Sequence, residues 1–222
     1  MTDISKQIDD NLPDEYKETL LNLLNEYRDC FAQTSGELGT ARDVEMSIKL
    51  TQNEPITYRP YRLALTERDK LREIVQDLLA NNIIEESDSP YASPILLVKK
   101  KTGDVRMCVD YRKLNAITVK NKYPLPTVED CLERLKDATY FIGLDLKMGY
   151  HQIPMASDSV EKTAFVTPDG HYHFLRMPFG LVNAPAVFQR KINQVLGSLR
   201  FTTALAYMDD ILIPAVTIDL QH

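Results

Sequence analysis

Thr203-Ala204-Leu205-Ala206-Tyr207-Met208-Asp209-Asp210-Ile211-Leu212-Ile213 sets two adjacent carboxylates between two apolar runs near the end of a 222-residue chain. Two short strand-like runs about a tight polar turn read as a β-hairpin with the aspartates at its tip. Neighbouring carboxylates repel and raise each other's pKa. A bound divalent cation removes that cost, and hard oxygen donors suit Mg²⁺ or Mn²⁺. Taken alone, an Asp-Asp pair reads more readily as a solvated turn. Its surroundings decide.

Upstream, the apolar run Tyr140-Phe141-Ile142-Gly143-Leu144 ends at Asp145. If that strand lies beside the 203–213 hairpin, Asp145 and Asp209 meet at one end of a sheet. Two carboxylates so placed can bridge two metal ions about 3.5–4 Å apart, the arrangement used for in-line phosphoryl transfer. The histidines compete poorly: His171 and His173, two apart on an expected strand, read as surface residues rather than metal ligands.

Other elements follow from periodicity. Pro13 opens an amphipathic helix over 14–31, with Tyr16, Leu20, Leu23, Leu24, Tyr27 and Phe31 on one face. A second helix opens at Thr66, with Leu71, Ile74, Val75, Leu78 and Leu79 at helical spacing. Ile95–Val98 and Val105–Val109 form a hairpin whose tip carries Lys99, Lys100 and Lys101. Thr127 caps a third helix, and Pro168-Asp169-Gly170 turns another hairpin. Asn183 caps a last helix, with Gly197 as its stop. Helices and hairpins alternating irregularly give an α+β class with an antiparallel sheet.

The chain has no run of 18 apolar residues, and its first residues lack the basic and apolar regions of a signal peptide. Cys30, Cys108 and Cys131 are odd in number and unclustered, which fits reduced thiols inside a cell and no zinc site. The net charge of −6 argues against nucleic acid until its distribution is read. Residues 1–54 carry 5 basic and 12 acidic side chains, whereas the remaining 168 carry 21 and 20. Residues 94–124 hold eight basic side chains against Asp104 and Asp110. Such a stripe reads as a phosphate-facing wall or as a solvated face. The expected organisation is an acidic arm over 1–54, containing one helix, before a body over 55–222.

Ordered motifs favour the sharper reading. They run Tyr61-Arg62-Leu63, Ser89-Pro90-Tyr91-Ala92-Ser93-Pro94, Val98-Lys99-Lys100-Lys101 and Arg106-Met107-Cys108-Val109-Asp110-Tyr111-Arg112-Lys113-Leu114-Asn115. Tyr123-Pro124-Leu125-Pro126, Leu144-Asp145-Leu146, Gly149-Tyr150-His151-Gln152-Ile153 and Lys162-Thr163-Ala164-Phe165 follow. Met177-Pro178-Phe179-Gly180-Leu181, Asn183-Ala184-Pro185, Phe188-Gln189 and Tyr207-Met208-Asp209-Asp210 complete the series. In this order the motifs resemble the reverse transcriptase domain of gypsy-type LTR retrotransposons (Metaviridae), closely over 58–213.

That resemblance implies the fingers and palm of a right-hand polymerase, with an antiparallel palm sheet, acting as an RNA-directed DNA polymerase. It implies two Mg²⁺ ions, with Mn²⁺ as an alternative, held by Asp145, Asp209, the Leu146 carbonyl and the supporting Asp210. Lys100 and Arg106 would grip the triphosphate of a deoxynucleotide. In the register of the hairpin, Lys99 or Lys101 can replace Lys100, and Arg106 can instead serve a cross-strand ion pair. Tyr150 would exclude a 2′-hydroxyl, although without the resemblance it reads as a core tyrosine. Phe179 and Gly180 would line the base and sugar pocket; retroviral relatives often carry Gln at Phe179. Met208 and Tyr207 would touch the primer terminus. Asp110, Arg112 and Asn115 would brace the template, or Asp110 and Arg112 would be structural. The implied partners are an RNA or DNA template with its primer, deoxynucleoside triphosphates and the remainder of a pol polyprotein; no membrane partner is implied. The implied location is the cytoplasm, within the element's virus-like particle.

The chain ends 12 residues after Asp210. A thumb, ribonuclease H and integrase are expected beyond it and are not in the sequence. This leaves a competing expectation, a catalytically inactive remnant with weak nucleic-acid binding and a tendency to associate through exposed apolar palm surface.

Overall fold

A computed structural model of the protein describes residues 8–32, 34–52, 54–99 and 103–217. Its elements in chain order are α1 (Asp14–Glu26), α2 (Leu65–Ala80), β1 (Ile84–Glu86), β2 (Ser93–Lys99), β3 (Val105–Val109), α3 (Arg112–Ile117) and α4 (Val128–Leu135). There follow β4 (Tyr140–Asp145), β5 (Phe165–Val166), β6 (His171–Phe174), α5 (Ala184–Leu196), α6 (Leu199–Thr202), β7 (Leu205–Tyr207) and β8 (Asp210–Ala215). They group into two units. The smaller is drawn from the stretches Met1–Leu38, Pro126–Lys147 and Leu196–His222, the larger from Gly39–Leu125 and Met148–Val195.

In the smaller unit the sheet order is β4-β8-β7, and both pairings are antiparallel. The β7–β8 hairpin buries Ala204, Leu205 and Ala206. Its partner β4 is an edge strand, and Tyr140, Phe141 and Ile142 stay exposed. Thr127 caps α4 as its sequence suggests: its hydroxyl accepts from the Asp130 amide at 3.1 Å, and the Asp130 carboxylate accepts back from the Thr127 amide. Helix α1 stops at Glu26, short of the expected residue 31, and none of its residues is buried. A single 3₁₀ turn, Arg28–Cys30, follows it.

The larger unit has a five-stranded sheet in the order β1-β6-β5-β2-β3. It is antiparallel except where β2 runs parallel to β5, through the pairs Ser93–Phe165 and Pro94–Val166. That pair lies outside the fully antiparallel reading of the sequence, since two-residue β5 is too short to show any periodicity. Helix α2 buries Leu71, Val75 and Leu78 at helical spacing. It starts at Leu65, and the Glu67 carboxylate accepts from the Ala64 amide, so Thr66 lies inside the helix instead of capping it. Ile84, Ile95, Leu114, Ile153, Phe165, Phe174 and Met177 form the core, each 3 % exposed or less. Burying a side chain of this size contributes about 1.5–3 kcal/mol.

Residues 39–52, read from sequence as part of the acidic arm, belong to this unit. Met46 and Ile48 are buried, Met46 bridges Met155, and Leu50 bridges Thr118. The Ile48 amide donates to the buried Ser159 hydroxyl at 2.8 Å, which satisfies both groups. Asn183, expected as a helix cap, turns its amide elsewhere. Its Oδ1 accepts from the Asn121 amide and its Nδ2 donates to the Val119 carbonyl, both at 2.8 Å.

His151 lies buried on the 3₁₀ turn Gly149–Gln152, with Nδ1 at 3.2 Å from the Met177 carbonyl. A carbonyl only accepts, so Nδ1 carries the proton of the neutral ring. Desolvation lowers the His151 pKa from 6.5 to about 4, with Arg106 and Arg176 adding to the shift and the Met177 bond opposing it. The fold thus favours neutral His151, and the stabilisation is complete above pH 6.5. It is lost as the pH falls towards 4, because the unfolded chain binds the proton first. A shift from 6.5 to about 4 corresponds to about 3 kcal/mol. Urea midpoints measured between pH 7.5 and 4 should therefore fall less steeply for His151→Gln than for the wild type. Equal slopes would show that other groups set the acid sensitivity.

Candidate active site

The expected functional residues divide between the two units. In the smaller one, β4 and β8 pair over six residues, which puts Asp145 directly opposite Asp210. Cross-strand partners share a sheet face, with Cα atoms about 4.5–5.5 Å apart. β7 closes on the same residue, since Tyr207 pairs with Asp210. Met208 and Asp209 are therefore the two turn residues of the hairpin. The Leu146 amide donates to the Asp209 carbonyl at 2.9 Å, which fixes the turn against the residue after Asp145.

Met208 has φ +54°, the left-handed region, and Asp209 does not. A positive φ at only the first central residue is the sign pattern of a type II′ turn, where glycine is the usual occupant. A side chain there stores about 1–3 kcal/mol of backbone strain, a cost that tends to accompany function. Asp145 and Asp210 are exposed; Asp209, Met208 and Tyr207 are half-buried.

This donor set fits a hard cation. Two carboxylates in direct register repel, a third sits in the adjoining turn, and the peptide after Asp145 is held beside it. Among the described residues, no group of three or more His, Cys, Asp or Glu side chains is already gathered as a cage. The backbone register is what brings Asp145, Asp209 and Asp210 to one end of the sheet.

The larger unit carries the residues expected to meet nucleotide and template. Arg106, on β3 opposite Val98, lies with its guanidinium carbon 4.4 Å from the Phe179 ring centroid. Such a contact contributes about 0.5–1 kcal/mol at an exposed site. Among the described residues no carboxylate forms an ion pair with Arg106, so the cross-strand pair allowed by the sequence does not form. Lys100 and Lys101 lie outside the described residues. Tyr150 is buried and stacks on Phe179 at 4.8 Å and 17°, with Phe188 behind it at 5.1 Å. Gly180 has φ +94°, a left-handed conformation that glycine adopts without strain.

Asn115 does more for this loop than its sequence position suggests. Its Nδ2 donates to the Gly180 carbonyl and its Oδ1 accepts from the Val182 amide, both at 2.8 Å. Arg112 grips Asp110 through Nε and Nη2, and this hydrogen-bonded contact holds the Asp110 carboxyl below the usual carboxylate range. Tyr111 between them is core, with its hydroxyl donating to the Thr163 carbonyl. Asp110 and Arg112 also line a cleft of about 210 Å³ with Tyr58, Tyr61, Pro94 and Lys113. Lys113 lies over the Tyr58 ring at 4.5 Å. Tyr58 was not singled out from sequence, and Lys113 was read as one member of the basic stripe; their pairing had no signal, since the two lie far apart in the chain.

Comparison with known proteins bears on the fold and the family. Over 93 % of the chain the fold matches the prototype foamy virus protease-reverse transcriptase at a TM-score of 0.84 and 23 % identity, covering 28 % of that chain. The foamy viral protease-reverse transcriptase solved in complex with an RNA/DNA hybrid matches over 94 % of the chain at 0.82 and 25 %, again covering 28 % of that chain. The Retrovirus-related Pol polyprotein from transposon 297 of Drosophila melanogaster is 41 % identical over 92 % of this chain, and that from transposon gypsy 36 % over 93 %. The chain spans about a fifth of the length of these two relatives, 20 % of each. The family model described as Reverse transcriptase (RNA-dependent DNA polymerase) matches residues 98–220, more than half of the sequence, and the chain belongs to that family.

Proposed function

We propose that this chain is the catalytic module of a retrotransposon polyprotein and performs template-directed nucleotidyl transfer from deoxynucleoside triphosphates to a primer 3′-hydroxyl. One observation carries the reading: Asp145 stands in register with Asp210, and Asp209 occupies the strained turn whose carbonyl accepts from Leu146. Asp145 and Asp209 are the principal metal ligands, with the Leu146 carbonyl and Asp210 in support. When bound, two Mg²⁺ ions, or Mn²⁺ in their stead, lower the pKa of the attacking hydroxyl and neutralise the departing pyrophosphate.

The side chains then divide the work. Arg106, with Lys100, holds the triphosphate; a planar guanidinium suits phosphate oxygens. Tyr150 presents ring bulk against a 2′-hydroxyl, and Phe179 and Gly180 bound the base and sugar. Tyr207 and Met208 meet the primer end. Asp110, Arg112 and Asn115 serve the template side, the first two beside the tyrosine-lined cleft. An RNA or DNA template with its primer is the partner. The RNA/DNA hybrid held by the foamy viral relative supports that choice, and the Pol polyproteins support further domains in the complete protein. Such a module works in the cytoplasm, inside the element's particle.

In the complete polymerase, Asp145→Asn and Asp209→Asn should each cut Mg²⁺-dependent primer extension by several orders of magnitude while leaving the melting temperature nearly unchanged. Extension retained by either variant removes the two-metal role. A chain that only binds nucleic acid, the competing reading, would show no metal-dependent extension even before mutation.

Sugar choice should depend on Tyr150. Replacing it with Val should raise ribonucleotide incorporation relative to deoxynucleotide by tenfold or more, about 1.4 kcal/mol. Because the ring is buried, the same change should also lower stability by about 2–5 kcal/mol. A selectivity ratio unchanged within a few-fold, alongside that stability loss, would assign Tyr150 to packing alone.

A further inference from the structure

We infer that Phe179 is a positioning residue that couples the triphosphate grip at Arg106 to the sugar gate at Tyr150. This rests on the polymerase reading above and extends it, because neither the grip nor the gate requires that the two communicate.

Phe179 touches both. The Arg106 guanidinium lies over its ring at 4.4 Å, and Tyr150 stacks on it at 4.8 Å and 17°. His151 meets it edge-on at 5.5 Å and 83°, and Phe188 supports Tyr150 from beyond. The loop that carries Phe179 is itself braced by the two hydrogen bonds of Asn115 to Gly180 and Val182. The ring is therefore a fixed plate, and Arg106 is the long, exposed side chain that needs one.

The nature of the plate matters. A carboxylate partner would orient Arg106 by consuming its N–H donors, as Asp110 does with Arg112. An aromatic face orients the guanidinium through its quadrupole and takes none of the five donors. Arg106 is thus fixed in place while its whole fork remains for phosphate oxygens. The same ring sets the tilt of Tyr150, so pressure from a 2′-hydroxyl on Tyr150 is transmitted to the plate under Arg106. A ribonucleotide would then be penalised at its phosphates as well as at its sugar.

The test measures binding of Mg²⁺-tripolyphosphate, dATP and ATP by calorimetry to the wild type and to Arg106→Ala, Phe179→Leu, Phe179→Tyr and the Arg106→Ala/Phe179→Leu double variant. Phe179→Leu should weaken tripolyphosphate binding about fivefold and narrow the dATP/ATP ratio. Phe179→Tyr, which keeps the ring, should restore both to within about twofold. The double variant should bind no worse than Arg106→Ala alone, since the plate acts through that arginine. Independent of binding, ring-current-shifted NMR signals of the Arg106 side chain should be present in the wild type and Phe179→Tyr and absent in Phe179→Leu. Additive losses in the double variant, or Phe179→Leu binding like the wild type, overturn the coupling. If Arg106→Ala leaves tripolyphosphate binding unchanged, the assignment of Arg106 to the triphosphate falls and takes the coupling with it. If Arg106→Ala weakens binding and Phe179→Leu does not, the coupling alone fails.

Discussion

The antiparallel register between β4 and β8 is the constraint on which the site depends. Six residue pairs commit Asp145 to stand opposite Asp210, and a one-residue slip would send one of them to the other face. Direct opposition of like charges is unfavourable on its own. The turn adds a second unfavourable feature, since Met208 holds a left-handed φ that a glycine would adopt without strain. Both costs are carried by the same short sheet, through the ladder, the Leu146–Asp209 backbone bond and the burial of Ala204 to Ala206. A sheet built only for stability would have neither paired aspartates nor methionine at that turn. Their joint presence is intelligible if a cation completes the arrangement.

The larger unit handles its polar groups in the opposite way. Ser159, Thr163, Asn183 and Tyr111 are buried, and each has found a backbone partner. These bonds join segments remote in sequence, such as Ile48 to Ser159 and Asn121 to Asn183. The 177–182 loop, on which Phe179 and Gly180 sit, is braced in the same manner by the Asn115 amide, which bonds Gly180 and Val182. Under the proposed function, that bracing would serve to hold a nucleotide in place for attack.

Much of this was legible in the sequence where the signal is local. Strand β4 ending at Asp145, the hairpin at Pro168-Asp169-Gly170 and the Thr127 cap all follow from runs of a few residues with known turn and cap chemistry. What escaped is non-local or too short. The parallel β2–β5 pair spans two positions and leaves no period to read. Helix α3 has six residues and begins inside a stretch dense in charge, so its apolar spacing is invisible. Asn183 stands directly before α5 as a cap would and Asn115 reads as a template contact, but that their amides also bond backbone groups 62 to 67 residues away is not legible from either position. Met46 and Ile48 were hidden by the acidic composition around them, because charge counts say nothing about which two side chains turn inward.

Two arginines six residues apart show how environment assigns work that composition cannot. Arg112 gives its Nε and Nη2 to Asp110, and its own pKa is raised by that partner. With most of its side chain in solvent, that pair adds little to stability. Its consequence is geometric: Asp110 and Arg112 are fixed together at the rim of the tyrosine-lined cleft. Arg106 has no such partner among the described residues and lies on an aromatic ring instead. A charge held by a carboxylate is largely neutralised towards a phosphate, whereas one held by a ring keeps its full attraction. Of the basic stripe that the sequence offers between residues 94 and 124, Arg106 and Lys113 are described members held by an aromatic ring rather than a carboxylate, and Arg106 is the one to which the proposed function gives the triphosphate.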